Sequence, residues 1–113
     1  MLEKTLEKYF YKEIRKLNLE HLELEYRFNS KVNWCYGCFS EYENTIEFTN
    51  PLLGLPKEQV ILTILHELAH AIDWHRNGKQ WRTHPSGRCK LHDKVWREIC
   101  VEIGYPKDLV SSF

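Results

Sequence analysis

The chain has 113 residues, enough for one domain built around one modest core. Its 16 basic and 16 acidic residues cancel, which removes any general electrostatic case for nucleic acid or an anionic membrane as partner. No apolar run is long enough to span a bilayer, and the charged start Met1-Leu2-Glu3-Lys4 does not read as a signal peptide, so a soluble, cytoplasmic protein is expected.

Leu2, Leu6, Tyr9, Phe10, Ile14 and Leu17 recur at helical spacing with Glu and Lys between them, which predicts a helix over about 2–17 that packs on the rest of the fold. From Leu22 to Phe28 apolar and polar residues alternate, the pattern of a half-buried strand. Asn29-Ser30-Lys31 is turn chemistry. A second strand is predicted from Val32 to Phe39, where Gly37 marks a bulge or a close backbone approach. Glu41 to Asn44 turns the chain into a third strand at Thr45–Thr49, which Asn50-Pro51 ends. Short connections favour antiparallel neighbours.

Leu55-Pro56-Lys57-Glu58 has the composition of a helix N-terminus, and no Gly or Pro interrupts Val60 to Trp74. His75 to Arg88 is polar, carries Gly78, Pro85 and Gly87, and reads as a loop. A last helix should start near Cys89 to Leu91 and run to about Ile103, with Gly104 as its cap and Pro106 beyond. The expected fold is α+β: a single domain over 1–113, in which a small three-stranded antiparallel sheet is combined with an N-terminal, a central and a C-terminal helix.

The central helix contains Leu65-His66-Glu67-Leu68-Ala69-His70, an HExxH pattern. Residues four apart share a helix face, so His66 and His70 can grip one ion together. Glu67 sits beside them, where it could take a proton from water activated by that ion. His66, His70 and Asp73 fall on one stripe; Ile61, Ile64, Leu65, Leu68 and Ile72 fall on the opposite arc. Asp73 is a candidate to orient a ligating imidazole.

A catalytic zinc takes three protein ligands and leaves one position open. His75, His84, His92 and Glu98 are the candidates for the third. His75 would need the helix to break first. Glu98 lies on the solvated side of the last helix. His92 opens that helix on the face of Trp96, Ile99 and Ile103, which must pack inward, and is the preferred ligand; His84, in the loop, is its main rival.

Four cysteines do not demand disulfides in such a chain. Cys35 and Cys38 form one CxxC pair, but a second metal would need two further ligands, and no second CxxC exists. They are expected, with Cys89 and Cys100, to be reduced and mostly buried.

His66-Glu67-Leu68-Ala69-His70-Ala71 followed by Leu91-His92-Asp93-Lys94-Val95-Trp96-Arg97 resembles the SprT-like metalloproteases, a Spartan-related family. Thr45 to Leu53 resembles the family's strand before the active-site helix, and Gly37-Cys38-Phe39 its glycine–cysteine strand. The resemblance implies that His66, His70 and His92 are Zn2+ ligands, that Glu67 is the general base and that Trp96 packs beneath the site. It implies a zinc-dependent endopeptidase acting on proteins or peptides, with DNA-associated proteins as one substrate class. Longer members carry a zinc ribbon with no counterpart in these 113 residues.

Peptide hydrolysis needs a donor to the developing oxyanion, for which His75, His84 and Tyr105 are candidates. A substrate strand could add to Thr45–Thr49 if that edge is open. The competing reading is a non-catalytic, zinc-stabilised module that binds protein or DNA. A single-stranded DNA contact through 76–90 would use Arg76, Lys79, Arg82, Arg88 and Lys90 around Trp81.

Overall fold

In the computed structural model, residues 1–78 and 93–110 are described. Helix α1 spans Glu3–Lys16 and buries Leu6, Phe10 and Ile14, as the apolar spacing requires. Asn18, at φ 56°, closes it in the left-handed conformation, and the Leu19 N–H donates to the Ile14 carbonyl at 2.9 Å. Strand β1 is Glu25–Asn29, β2 is Gly37–Ser40 and β3 is Thr45–Thr49. Helix α2 runs Lys57–Asn77, α3 Lys94–Glu102 and α4 Lys107–Val110.

The sheet order is β1-β3-β2. β2 and β3 form the expected antiparallel hairpin, pairing Cys38 with Glu47 and Ser40 with Thr45. β1, however, pairs with β3 in parallel, Tyr26 opposite Ile46 and Phe28 opposite Phe48. The sheet is therefore mixed, not antiparallel throughout. The stretch between Asn29 and Gly37, expected to be mostly strand, instead carries the chain past the place that β3 later fills. Chain direction still reverses at each turn, so inserting β3 between the first two strands makes it parallel to β1.

As the central strand, β3 is the most buried of the three, with Thr45, Ile46, Phe48 and Thr49 all enclosed. Phe10, Tyr26 and Phe48 meet as an aromatic cluster with centroids 5.7–6.0 Å apart, joining α1 to both strands. The Tyr26 hydroxyl donates to Glu3 Oε1 at 3.0 Å, which gives the polar end of that ring a partner.

Helix α2 lies against the sheet through β2, with α1 and α3 on its other sides. This is why nearly every residue from Ile64 to Asp73 is buried, rather than one apolar arc alone. The helix continues through His75 and Arg76 instead of ending at Trp74. Both residues are held by other elements: His75 Nε2 meets Asn44 Oδ1 at 2.8 Å, and Arg76 makes a double contact with Glu102 of α3 at 2.8 and 3.2 Å. Among the described residues no helix is long and apolar enough to cross a membrane.

Candidate active site

Pro56 sets the start of α2, its fixed φ of −60° suited to the position before the first helical residue. From Lys57 the unbroken helix brings His66 and His70 onto one face, their ring centroids 5.0 Å apart. Glu67 Oε2 lies 4.0 Å from His66 Nε2. The Glu67 carboxylate is buried, and burial pushes its pKa up to about 7 against the opposing effect of a hydrogen bond from the Phe39 N–H. A carboxylate in that range is matched to accepting and returning a proton near neutrality.

Both imidazoles rest on Trp96. The indole stacks on His70 at 5.0 Å and 21° and meets the His66 ring at 4.8 Å and 64°. Trp96 arrives there because α3 is amphipathic: Trp96, Ile99 and Cys100 are buried, while Glu98 is exposed beside Lys94. Asp93 caps the helix, its Oδ1 accepting from the Trp96 N–H at 3.1 Å. Glu98 is thus turned away from the histidines.

His66 and Glu67 open onto a cavity of about 310 Å³ whose other walls are Tyr36, Gly37, Gln59, Leu62, Thr63 and Tyr105. Gln59, Leu62 and Thr63 lie one and two turns before His66 on the same helix face. Stepping back from His66 by three, four and seven residues would have found them in the sequence. Gly37 is the close approach that its position in a strand suggested: a Cβ there would sit 3.0 Å from the Glu47 carbonyl oxygen and 3.1 Å from the Phe48 ring. Tyr105 enters from the far end of the chain. Gly104, at φ 102°, turns the backbone after α3, and the Tyr105 N–H then donates to the Cys100 carbonyl at 2.9 Å. Burial raises the Tyr105 phenol above its ordinary range.

The remaining candidates separate. His75 is exposed and engaged with Asn44, away from the cavity. Asp73 is fully buried and accepts from Asn77 Nδ2 at 2.6 Å. Arg76 belongs to α2 and pairs with Glu102 rather than to a basic loop. Lys79, Trp81, Arg82, His84, Arg88, Cys89, Lys90 and His92 lie outside the described residues. Cys100 is buried as expected, but Cys38 is exposed and Cys35 only half-buried; all three are free thiols. Cys38 lies on β2 opposite Glu47, and Cys35 precedes that strand, so neither is within the core.

Among the described residues no set of three His, Cys, Asp or Glu side chains is placed to hold a metal ion. The helix nevertheless places the imidazoles of His66 and His70 on one face with the Glu67 carboxylate beside them, and His66 and Glu67 border the cavity.

Comparison with protein families matches residues 1–112 to the SprT-like family. The chain belongs to the SprT-like family. Its fold is similar to that in the crystal structure of the metallopeptidase zymogen of Pyrococcus abyssi abylysin, with a TM-score of 0.60 over 95% of this chain and 86% of that one. The two are 16% identical, so this likeness speaks for the fold of the SprT-like chain and not for its chemistry. No curated protein matches the chain.

Proposed function

We propose that this SprT-like chain is a zinc-dependent endopeptidase in which His66, His70 and His92 hold the ion and Glu67 is the general base. The observation that carries this reading is the buried Glu67 carboxylate, 4.0 Å from His66 at the wall of an accessible cavity. A carboxylate needed only to stabilise the fold has no reason to face such a space. When bound, zinc would supply Lewis acidity toward the scissile carbonyl and lower the pKa of water.

The chain's own residues account for the remaining work. Glu67 takes a proton as water attacks the carbonyl carbon, and delivers it to the amine as the C–N bond breaks. Trp96 fixes the planes of both imidazoles, so the donor set needs little reorganisation. The cleft also offers a backbone edge. β3 is central and paired on both sides, which rules out the Thr45–Thr49 edge for substrate. β2 pairs only with β3 among the described strands. The Thr49 N–H bonds to the Tyr36 carbonyl at 3.1 Å, so the alternate residues Gly37 and Phe39 turn their peptide groups outward. Phe39 N–H meets Glu67, and the rest of that edge can pair with an extended substrate beside the general base. Recognition through backbone would favour unfolded segments of many sequences, with DNA-associated proteins one class to test.

The deciding experiment compares wild type with Glu67→Gln and His92→Ala for zinc content and for cleavage of denatured casein, with and without single-stranded DNA. Glu67→Gln should bind zinc and fold like wild type yet lose activity by on the order of 10² to 10⁴. His92→Ala should lose most of its zinc. A wild type inert in every condition, or a fully active Glu67→Gln, overturns the endopeptidase reading. Loss of zinc in His84→Ala with full zinc in His92→Ala overturns the ligand choice alone.

A further inference from the structure

We propose that the Tyr105 hydroxyl is the protein's hydrogen-bond donor to the oxyanion that forms on the scissile carbonyl, an inference that rests on the endopeptidase reading above. Attack of water on a peptide carbonyl moves a full negative charge onto the carbonyl oxygen. A donor helps most when it is already fixed and shielded from water before the charge appears.

Four side chains lining the cavity carry a donor: Tyr36, Gln59, Thr63 and Tyr105. The Thr63 hydroxyl is spent on the Gln59 carbonyl of the preceding turn, at 2.9 Å. Gln59 is exposed, and Tyr36 is 47% exposed, so both are solvated and free to move. Tyr105 is 8% exposed and faces the same cavity as Glu67 and His66.

The backbone of Tyr105 is also tied to α3. It follows Gly104, whose φ of 102° turns the chain back, and its N–H closes onto the Cys100 carbonyl of α3. Cys100 lies one turn after Trp96, so the helix that supports the two imidazoles also supports Tyr105. Tyr105 and the indole against which both imidazoles pack are thus tied to the same helix, which docks on α2. His75, the other described candidate, does not line the cavity.

The test uses the full zinc-loaded chain and a peptide taken from wild-type cleavage of denatured casein. Tyr105→Phe keeps the ring and removes the hydroxyl; Tyr42→Phe, at a 93% exposed position, is the control. Tyr105→Phe should keep its zinc and stay folded at the assay temperature while kcat falls by on the order of 10² with KM little changed. Its affinity for a phosphonate analogue of the peptide, whose tetrahedral phosphorus bears the oxyanion, should fall by a similar factor. Binding of the unmodified peptide, measured in the Glu67→Gln background, should not change. An unaltered kcat or an unaltered phosphonate affinity overturns the assignment and leaves the endopeptidase reading standing. A rise in KM alone makes Tyr105 a ground-state contact and also overturns it. A wild type without peptidase activity overturns both.

Discussion

The His70 imidazole lies almost flat on the Trp96 indole, 5.0 Å between centroids and 21° between planes. Because the same indole meets His66 edge-on, one side chain of α3 constrains both histidines of α2. The contact joins the core to the site: a fully buried ring fills the space between two helices and, in doing so, packs against both imidazoles proposed to hold the metal.

Trp96→Ala should therefore act twice. Removing a fully buried Trp costs about 3–5 kcal/mol of stability, read from urea unfolding of the metal-free protein. Zinc affinity, measured by competition with a chelating dye, should fall as well, because the imidazoles regain rotational freedom. Trp96→Phe should recover most of the stability and part of the affinity. Unchanged zinc affinity in a folded Trp96→Ala would show that the stack is packing only.

Gly37→Ala places a methyl group 3.0 Å from a backbone oxygen and 3.1 Å from Phe48. The oxygen belongs to the central strand and cannot swing aside, so β2 has to move. Overpacking of this kind costs about 1–3 kcal/mol, and here the displaced strand is a wall of the cavity. Unfolding curves should show the loss of stability, and peptide cleavage should fall further than stability alone explains. A variant as stable and active as wild type would mean that the hairpin yields freely.

Cys100 gives an alkaline signature. Burial pushes its thiol from an ordinary 9.0 up to about 12, so the folded protein keeps the proton that the unfolded chain releases. The raised folded pKa means that this stabilisation is complete below pH 9 and is lost as pH rises toward 12. Urea midpoints for wild type should fall more steeply as pH rises above about 9 toward 12 than those of Cys100→Ala. Parallel curves would show that the thiol ionises equally in both states.

The elements that could be read from sequence are those with local causes. The apolar spacing of Leu6, Phe10 and Ile14 requires a helix, the alternation at Thr45–Thr49 requires a strand, and Pro56 marks where α2 begins. The HExxH residues are legible because helical geometry alone puts His66 and His70 together. What the sequence hides depends on distant partners. Parallel pairing of β1 with β3 is decided by where the hairpin inserts, which no local pattern encodes. The last turn of α2 looked like a loop because His75 and Arg76 are polar; Asn44 and Glu102, far away in sequence, hold them in helix. Tyr105 could be named as a candidate but not preferred, since its place in the cavity follows from the turn at Gly104 and the docking of α3.

The position of β3 between its neighbours divides labour within the sheet. On one side β2 borders the cleft and α2; on the other β1 supports α1 through Tyr26 and Glu3. The buried residues of β3 lie between the two margins, which meet at Phe48, packed on one side by Gly37 and on the other by Phe10 and Tyr26. Selection, or a designer, can thus recut the cleft margin by changing residues on the outer side of β2, while the aromatic cluster of Phe10, Tyr26 and Phe48 goes on holding the scaffold. A domain this small can change the lining of its cleft without renegotiating how it folds.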